Sequence, residues 1–433
     1  MNPMQRAFLA VLVRLAVGPA LLAQSVYETD LRHAHAEIGE QCATLIAAKK
    51  VDWKAVEKEL LPAAKAVKSE AQHLVLLVRL LARLRDGHSE VRPTAKTKGI
   101  RWPDEAPGGG EQTGCGMFWC RSGKRIYVKS VWNAAKESGL EPGMEVLSVD
   151  GTPVAKWLDA RMALLRDTLS YSSDVHAFFD ACHAGLRAAP GTRLELELKE
   201  LDGKKKKRTV TYAKAALGAW GPAVFPPGLE STKDLHYGRL ASGYGYIHLR
   251  RSPETLPEQL DAALAAMLDA PGLILDYRGN SGGGFDHQGF LGRFVPPGSQ
   301  LPSGNYVAAG PRQYGGPVVV IVDGTVKSAG ETGAGQFKED GRGYLIGESP
   351  TAGMASQKTT IALPSGLFEL YVSTHSNKAR FNNGRGIEGV GVIPHELVEF
   401  DPKDLAAGRD TLILRAEALL AKFPADKVPF QSK

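Results

Sequence analysis

Leu273-Ile-Leu-Asp-Tyr-Arg-Gly-Asn-Ser-Gly-Gly-Gly284 is the stretch that decides the fold. Its first four residues read as a short buried strand. The glycines that follow read as a turn whose backbone amides can approach a ligand closely. A phosphate loop is the competing idea, and it is disfavoured: no Gly-Lys-Ser/Thr follows, and the spacing is not Gly-x-Gly-x-x-Gly. Outward from this stretch, strands alternate with helices. Residues 244–249 form a strand and 256–268 a helix. The β-branched run 317–323 is a buried strand, followed by a helix over 329–338. Residues 344–346, 368–373 and the region of Val390 supply further strands. Such alternation predicts an α/β sheet covered by crossover helices.

Two more fragments carry chemistry. Val326-Lys-Ser-Ala-Gly-Glu331 places Ser328 at a strand-to-helix junction. A Ser there is most often an N-cap, its hydroxyl accepting an amide hydrogen bond. It also suits a nucleophile, because the positive helix end favours a developing oxyanion. The small neighbours Ala329 and Gly330 leave room for a substrate carbonyl. Gly386-Ile-Glu-Gly-Val-Gly-Val-Ile-Pro394 brings the carboxylate of Glu388 on a glycine-lined approach. The amides of Gly282 or Gly283, with that of Ala329, are the expected oxyanion hole, while Arg278 and Asn280 brace the turn. A serine hydroxyl needs a base. Asp86-Gly-His-Ser89 offers His88, just past a helix that Gly87 stops. His248, His287, His375 and His395 are read as structural.

Residues 24–103 form an N-terminal helical region. Apolar positions recur at helical spacing through Ile38, Cys42, Leu45 and Ile46, and through Leu74, Leu77, Leu80, Leu81 and Leu84. Residues 104–216 read as a β-rich module. Its segment Gly139-Leu-Glu-Pro-Gly-Met-Glu-Val-Leu-Ser-Val-Asp-Gly-Thr-Pro153 resembles a PDZ domain of the bacterial protease type. By that resemblance Gly114, Cys115, Gly116 and Met117 are the loop that binds a peptide carboxylate, with strand addition at the sheet edge. A helical insertion over 157–186 lengthens the module. The basic run 204–208 reads as a solvated hairpin tip. A Pro/Gly-rich linker, 217–231, leads to the last domain, 232–433.

The chain has 433 residues, 43% of them hydrophobic and 23% charged, which calls for two or three domains. The formal charge of +6 does not argue for nucleic acid. Residues 1–23 read as a signal peptide: Arg6 precedes an apolar stretch over 7–23, and cleavage would fall after Ala23. An uncleaved anchor is the alternative. Export places the protein in the periplasm or outside the cell, with no stable membrane insertion after cleavage. Of the four cysteines, Cys115 and Cys120 are the local disulfide candidate. No His-Glu-x-x-His occurs, and His33-Ala-His35 is weak support for a metal.

Taken in this order, the Asp-x-Arg-x-Asn-x-Gly-Gly and Ser-Ala-Gly-Glu motifs resemble the carboxyl-terminal processing and tricorn-core serine proteases. The resemblance covers the β module and residues 232–400, and reaches back to Asp-Gly-His. It implies a crotonase-like α/β catalytic domain in a multidomain α+β chain, polypeptide substrates, and no metal or organic cofactor. One branch of these proteases uses a Ser–Lys dyad. Here Thr351-Ala-Gly-Met-Ala-Ser-Gln357 puts Met354 where that lysine belongs, and Lys327 or Lys358 would need a shifted register. The other branch uses Ser, His and Glu, which implies Ser328 as nucleophile, His88 as base and Glu388 as orienting acid. Ser89 is a possible bridging hydroxyl and Glu331 a rival acid facing away. The expected activity is that of an exported endopeptidase acting on unfolded or C-terminal segments; a non-catalytic binder of the same fold is the alternative.

Overall fold

The strand Leu273–Asp276 is the middle member of a seven-stranded sheet in the computed structural model, which describes residues 25–213, 220–284, 286–301, 306–354, 357–375 and 380–423. The order is Glu396–Leu397, Tyr344–Gly347, Val318–Val322, Leu273–Asp276, Gly245–Leu249, Leu235–Arg239 and Glu230–Ser231. The first five run parallel, and Leu235–Arg239 is antiparallel to both of its neighbours. Parallel strands are covered on both faces, and every residue of Val318–Val322 is buried. On one face, Leu260 and Leu264 of the helix Leu256–Met267 and Phe337 of the helix Ala329–Glu339 pack with Phe290 and Phe294. The helix Thr411–Leu420 covers the other face. The α/β reading therefore holds. Residues 386–394, expected to include a strand, instead form glycine turns, and the last strand comes at Glu396–Leu397.

The β module strings Met117–Ser122, Arg125–Val131, Glu145–Val149, Arg193–Lys199 and Lys205–Thr211 into one antiparallel path. Leu196, Leu198, Val128 and Val146 fill its own core. Strand alternation sends Cys120 and Tyr127 the other way, against Tyr246, Ile274, Val319 and Ile346 of the large sheet. A buried ion pair crosses the same contact, Lys129 Nζ to Glu348 Oε1 at 2.8 Å. The module is thus docked on the α/β domain through a packed face. All four cysteines are free and buried. Cys115 and Cys120 do not pair, because Cys115 faces the module's own core and Cys120 the interdomain face. The basic residues 205–208 lie in a strand, and the hairpin turns just before them. The expected insertion is two helices, Val154–Thr168 and Asp174–Ala181.

The helices Val26–Gln41, Trp53–Ala66 and Glu70–Leu84 start at capping side chains, Ser25, Asp52 and Ser69. Their apolar stripes do not close on themselves. Leu31, Ile38, Leu77 and Leu81 share one core with Ile361, Phe368, Leu370 and Val372 of a C-terminal hairpin, Lys358–Ala362 with Phe368–Ser373. The strand Glu90–Pro93 then joins that hairpin, Glu90 opposite Tyr371. The expected division at residue 103 is therefore not a division of cores. This pairing carries Asp86-Gly-His88 to the C-terminal half of the chain.

Candidate active site

Ser328 occupies a strained backbone position, φ 53° and ψ −122°. A capping Ser ordinarily has extended backbone, so capping alone does not call for this conformation, which costs of order 1–3 kcal/mol. Neighbours over-determine it. The Lys327 N–H donates to the Asn280 carbonyl (2.9 Å) and the Gly330 N–H to the Lys327 carbonyl (2.9 Å). The Ser328 N–H donates to Glu331 Oε2 (3.0 Å). A Cβ on Gly330 would fall 2.6 Å from Asn280 Oδ1, which explains the glycine two residues after the hydroxyl.

The Gly turn lies directly against this elbow. A Cβ on Gly282 would meet Ser328 Cβ at 2.9 Å and the Ala329 nitrogen at 3.0 Å. Asn280 holds the turn: Oδ1 accepts the Gly282 N–H (2.8 Å), and Nδ2 donates to the Leu249 carbonyl (2.9 Å). Arg278 is fully buried between Asp276 and Asp410. Both residues brace the turn as expected. The Gly282 N–H is taken by Asn280 and is not available to substrate. Among the described residues, the N–H groups of Gly283 and Ala329 have no partner, and Gly283 is exposed.

His88 is held by its turn. The buried Asp86 accepts from the His88 N–H (3.0 Å), the Ser89 hydroxyl (3.0 Å), the Ser373 N–H (2.7 Å) and the Ser373 hydroxyl (2.9 Å). Ser170 and Ser172, just past the helix Val154–Thr168, accept the N–H groups of Asp86 (2.8 Å) and Gly87 (2.9 Å). Ser89 is therefore engaged with Asp86 and does not bridge to Glu388. The imidazole is largely buried, and among the described residues neither of its nitrogens has a hydrogen-bond partner. Asp86 Oδ1 lies 4.0 Å from Nδ1. Burial, then the ammonium groups of Lys358, Lys49 and Lys327, depress the imidazole to about 4, with Asp86 opposing. The ring is neutral at pH 7, the state a general base requires.

A short relay of contacts links the turn that carries His88 to Ser328. The Glu331 carboxylate, which binds the Ser328 amide, also accepts from the Gly353 N–H (2.7 Å), the Met354 N–H (2.9 Å) and the Thr351 hydroxyl (2.6 Å). Met354 Sδ is in turn 3.0 Å from a Cβ placed on Gly87. Glu331 was expected to face away; it turns back and ties the helix start to the 351–354 loop. Burial raises its carboxyl to about 7. Glu388 was expected to fix the imidazole. Its Oε1 pairs with Lys49 Nζ at 2.6 Å, both side chains buried, and Lys49 also donates to the Arg85 carbonyl (2.6 Å). Lys49, Ser170, Ser172 and the nearby His176 carried no signal in the sequence, since each lies in a segment read only as helix or insertion.

Gly114–Met117 does not offer a free carboxylate cradle. All four residues are buried, and the Gly116 carbonyl accepts the Trp132 N–H (2.7 Å). The adjoining edge is filled by the chain itself. Thr113 and Ala188 exchange two backbone hydrogen bonds, and the Trp119 N–H donates to the Cys182 carbonyl (3.0 Å). The inserted segment 182–188 occupies the place expected for a peptide.

A hydroxyl on a strained strand-to-helix turn, free amides beside it and a neutral imidazole nearby are the parts of a serine hydrolase. Residues 243–398 match the model of peptidase family S41. The match lies within the α/β domain and covers the Gly turn and Ser328, and the protein is a serine-type peptidase. Among solved structures, mature CPAF complexed with lactacystin is similar at 14% identity and a TM-score of 0.65, over 91% of this chain and 98% of that one. A putative peptidase from Parabacteroides merdae is similar at 16% identity and a TM-score of 0.51, over 92% and 97%. These likenesses concern the fold. No curated protein matches the sequence. Among the described residues no helix is long and apolar enough to cross a membrane, and no cluster of three His, Cys, Asp or Glu could hold a metal.

Proposed function

We propose that the protein is an exported endopeptidase that hydrolyses unfolded or C-terminal segments of polypeptides, with Ser328 as nucleophile and His88 as base. The observation that carries this reading is the strained Ser328 backbone set against Gly282, with the Gly283 and Ala329 amides free beside it. In the reaction, Ser328 Oγ attacks the peptide carbonyl carbon and its proton passes to His88. The two amides hold the oxyanion, and His88 returns the proton to the leaving amine. Water then repeats the sequence on the acyl-enzyme. His88 and Ser328 share no hydrogen bond in the unliganded site; such bonds often tighten only around substrate. Asp86 supplies negative charge to the imidazolium. Glu388 acts one step removed, by neutralising Lys49 beside the ring. Export rests on Arg6 and the apolar stretch 7–23, which lie outside the described residues.

A second reading has one observation behind it. Burial lowers the ammonium of Lys358, which lies in the same charge cluster as His88, and a lysine base would follow from that. Labelling with a fluorophosphonate across pH separates the two. A His88 base requires labelling at Ser328 that is lost in both Ser328→Ala and His88→Ala. Labelling that survives His88→Ala and fails in Lys358→Met assigns the lysine. No labelling of the wild type at any pH removes both.

A further inference from the structure

A cavity of about 760 Å³ opens beside the site. Gly87 and Ser89, the two neighbours of His88, line it, as does Lys327, the residue before Ser328. The cavity therefore adjoins the two segments that carry His88 and Ser328. Much of its wall is apolar, with Leu165 among the lining residues, and His176 and Asp180 add polar groups.

Lys327 is the feature without an internal explanation. Its ammonium makes no hydrogen bond and no ion pair among the described residues, and lies 5.4 Å from the Trp220 ring centre. Asp180 and Glu331 act on it only through space; the Asp180 carboxylate accepts from the Tyr171 hydroxyl, and that of Glu331 from the Ser328 N–H and the 351–354 loop. Arg161 also lines the cavity, and its guanidinium is taken up by the Gly185 and Arg187 carbonyls. His176 is enclosed and held neutral by burial. A half-buried cation that makes no ion pair among the described residues, set in a cavity adjoining the proposed peptide-cleaving centre, is placed to meet an anion from the substrate.

We propose that this cavity is an acid-accepting subsite in which Lys327 pairs with a carboxylate of the polypeptide substrate. The inference rests on the hydrolytic reading above. The carboxylate comes from an Asp or Glu side chain or from the chain's own C-terminus. The second source would give tail recognition at the active site itself, a role the sealed Gly114–Met117 loop does not fill.

The test uses four peptides of one sequence, carrying Glu or Gln near the cleavage point and a C-terminal acid or amide. Hydrolysis is measured with the wild type, Lys327→Met, Lys327→Arg and Lys327→Glu. Binding to Ser328→Ala is measured in parallel by fluorescence anisotropy. The wild type should favour one acid form by about tenfold or more, chiefly in KM, as a desolvated charge pair does. Lys327→Arg should keep that preference, Lys327→Met lose it and Lys327→Glu reverse it. The pair of peptides showing the preference names the source. Equal rates on all four peptides in the wild type overturn the subsite, whether or not the variants fold, and so does a preference that persists in Lys327→Met. Acid-selective binding without hydrolysis would keep the subsite and sink the hydrolytic reading.

Discussion

Two glycine turns in this chain look alike on paper and behave in opposite ways. Gly282–Gly284 follows a buried strand and includes an exposed Gly283 whose N–H has no partner among the described residues, with Gly282 against Ser328. Gly114–Gly116 precedes a strand and is itself buried, and the segment 182–188 hydrogen-bonds its flanking residues Thr113 and Trp119. Both allow close approach of backbone. What approaches differs: open space and a strained serine in one case, the chain's own residues in the other. Glycine content signals accessibility of the main chain to something, and packing decides to what.

The largest expected effect that tests this contrast is on the open turn. Gly282→Ala drives a methyl to 2.9 Å from Ser328 Cβ, and kcat should fall about 100-fold or more, as misplacement in a catalytic site does. Circular dichroism and melting should show a folded protein. A Gly282→Ala enzyme of normal kcat would mean the turn is not part of the site.

Next in size is the sealed turn. Gly116→Ala would put its Cβ 2.2 Å from the Trp132 carbonyl at φ 82°. A loss of about 2–3 kcal/mol in denaturant unfolding is expected, with unchanged kcat/KM for the folded fraction. If instead Gly116→Ala left stability alone and weakened cleavage of free-acid peptides, the sealed loop would have to open during function.

The pH dependence sharpens the open site. His88 is depressed from an ordinary 6.5 to about 4, so it is unprotonated and competent above that point. The acid limb of kcat/KM should fall near pH 4 rather than 6.5. Between those values the unfolded chain takes up a proton that the folded one refuses, so stability should also decline as pH drops from about 6.5 toward 4. An acid limb at 6.5 would show that His88 is solvated or is not the base.

The smallest effect concerns thiols. Burial pushes Cys115 up to about 11 and Cys42 up to about 12, and Cys120 and Cys182 are wholly enclosed. A disulfide reagent at pH 8 should find no reactive thiol in the native protein and four after denaturation. Rapid reaction at Cys115 alone would reveal an open β-module groove.

Much of the α/β domain was legible, and for local reasons. Val318–Val322 and Leu273–Asp276 are continuous apolar runs bounded by turn residues, so length and β-branching identify them as central strands. Ser328 and Gly283 stood out because a hydroxyl at a strand-to-helix junction and glycines after a buried strand are both written in short runs of residues. The Val390 region failed because its apolar residues alternate with glycines, and the chain uses them for turns. Glu388 was found, but its partner was not: Lys49 lies 339 positions away, and nothing in its neighbourhood announces an ion pair. A separation of 287 positions likewise hides the bracket that Asp86 makes with Ser373.

From the sequence alone came the strands, the elbow serine, the glycine turn and the candidate imidazole, because each is written in a short run of residues whose backbone preferences are local. Tertiary structure alone decided that the first helices share a core with a C-terminal hairpin, that Glu388 answers Lys49, that one glycine turn is open and the other buried, and that Lys327 lines a cavity beside the site. These depend on which distant surfaces meet, and a burial or charge balance exists only once they have met.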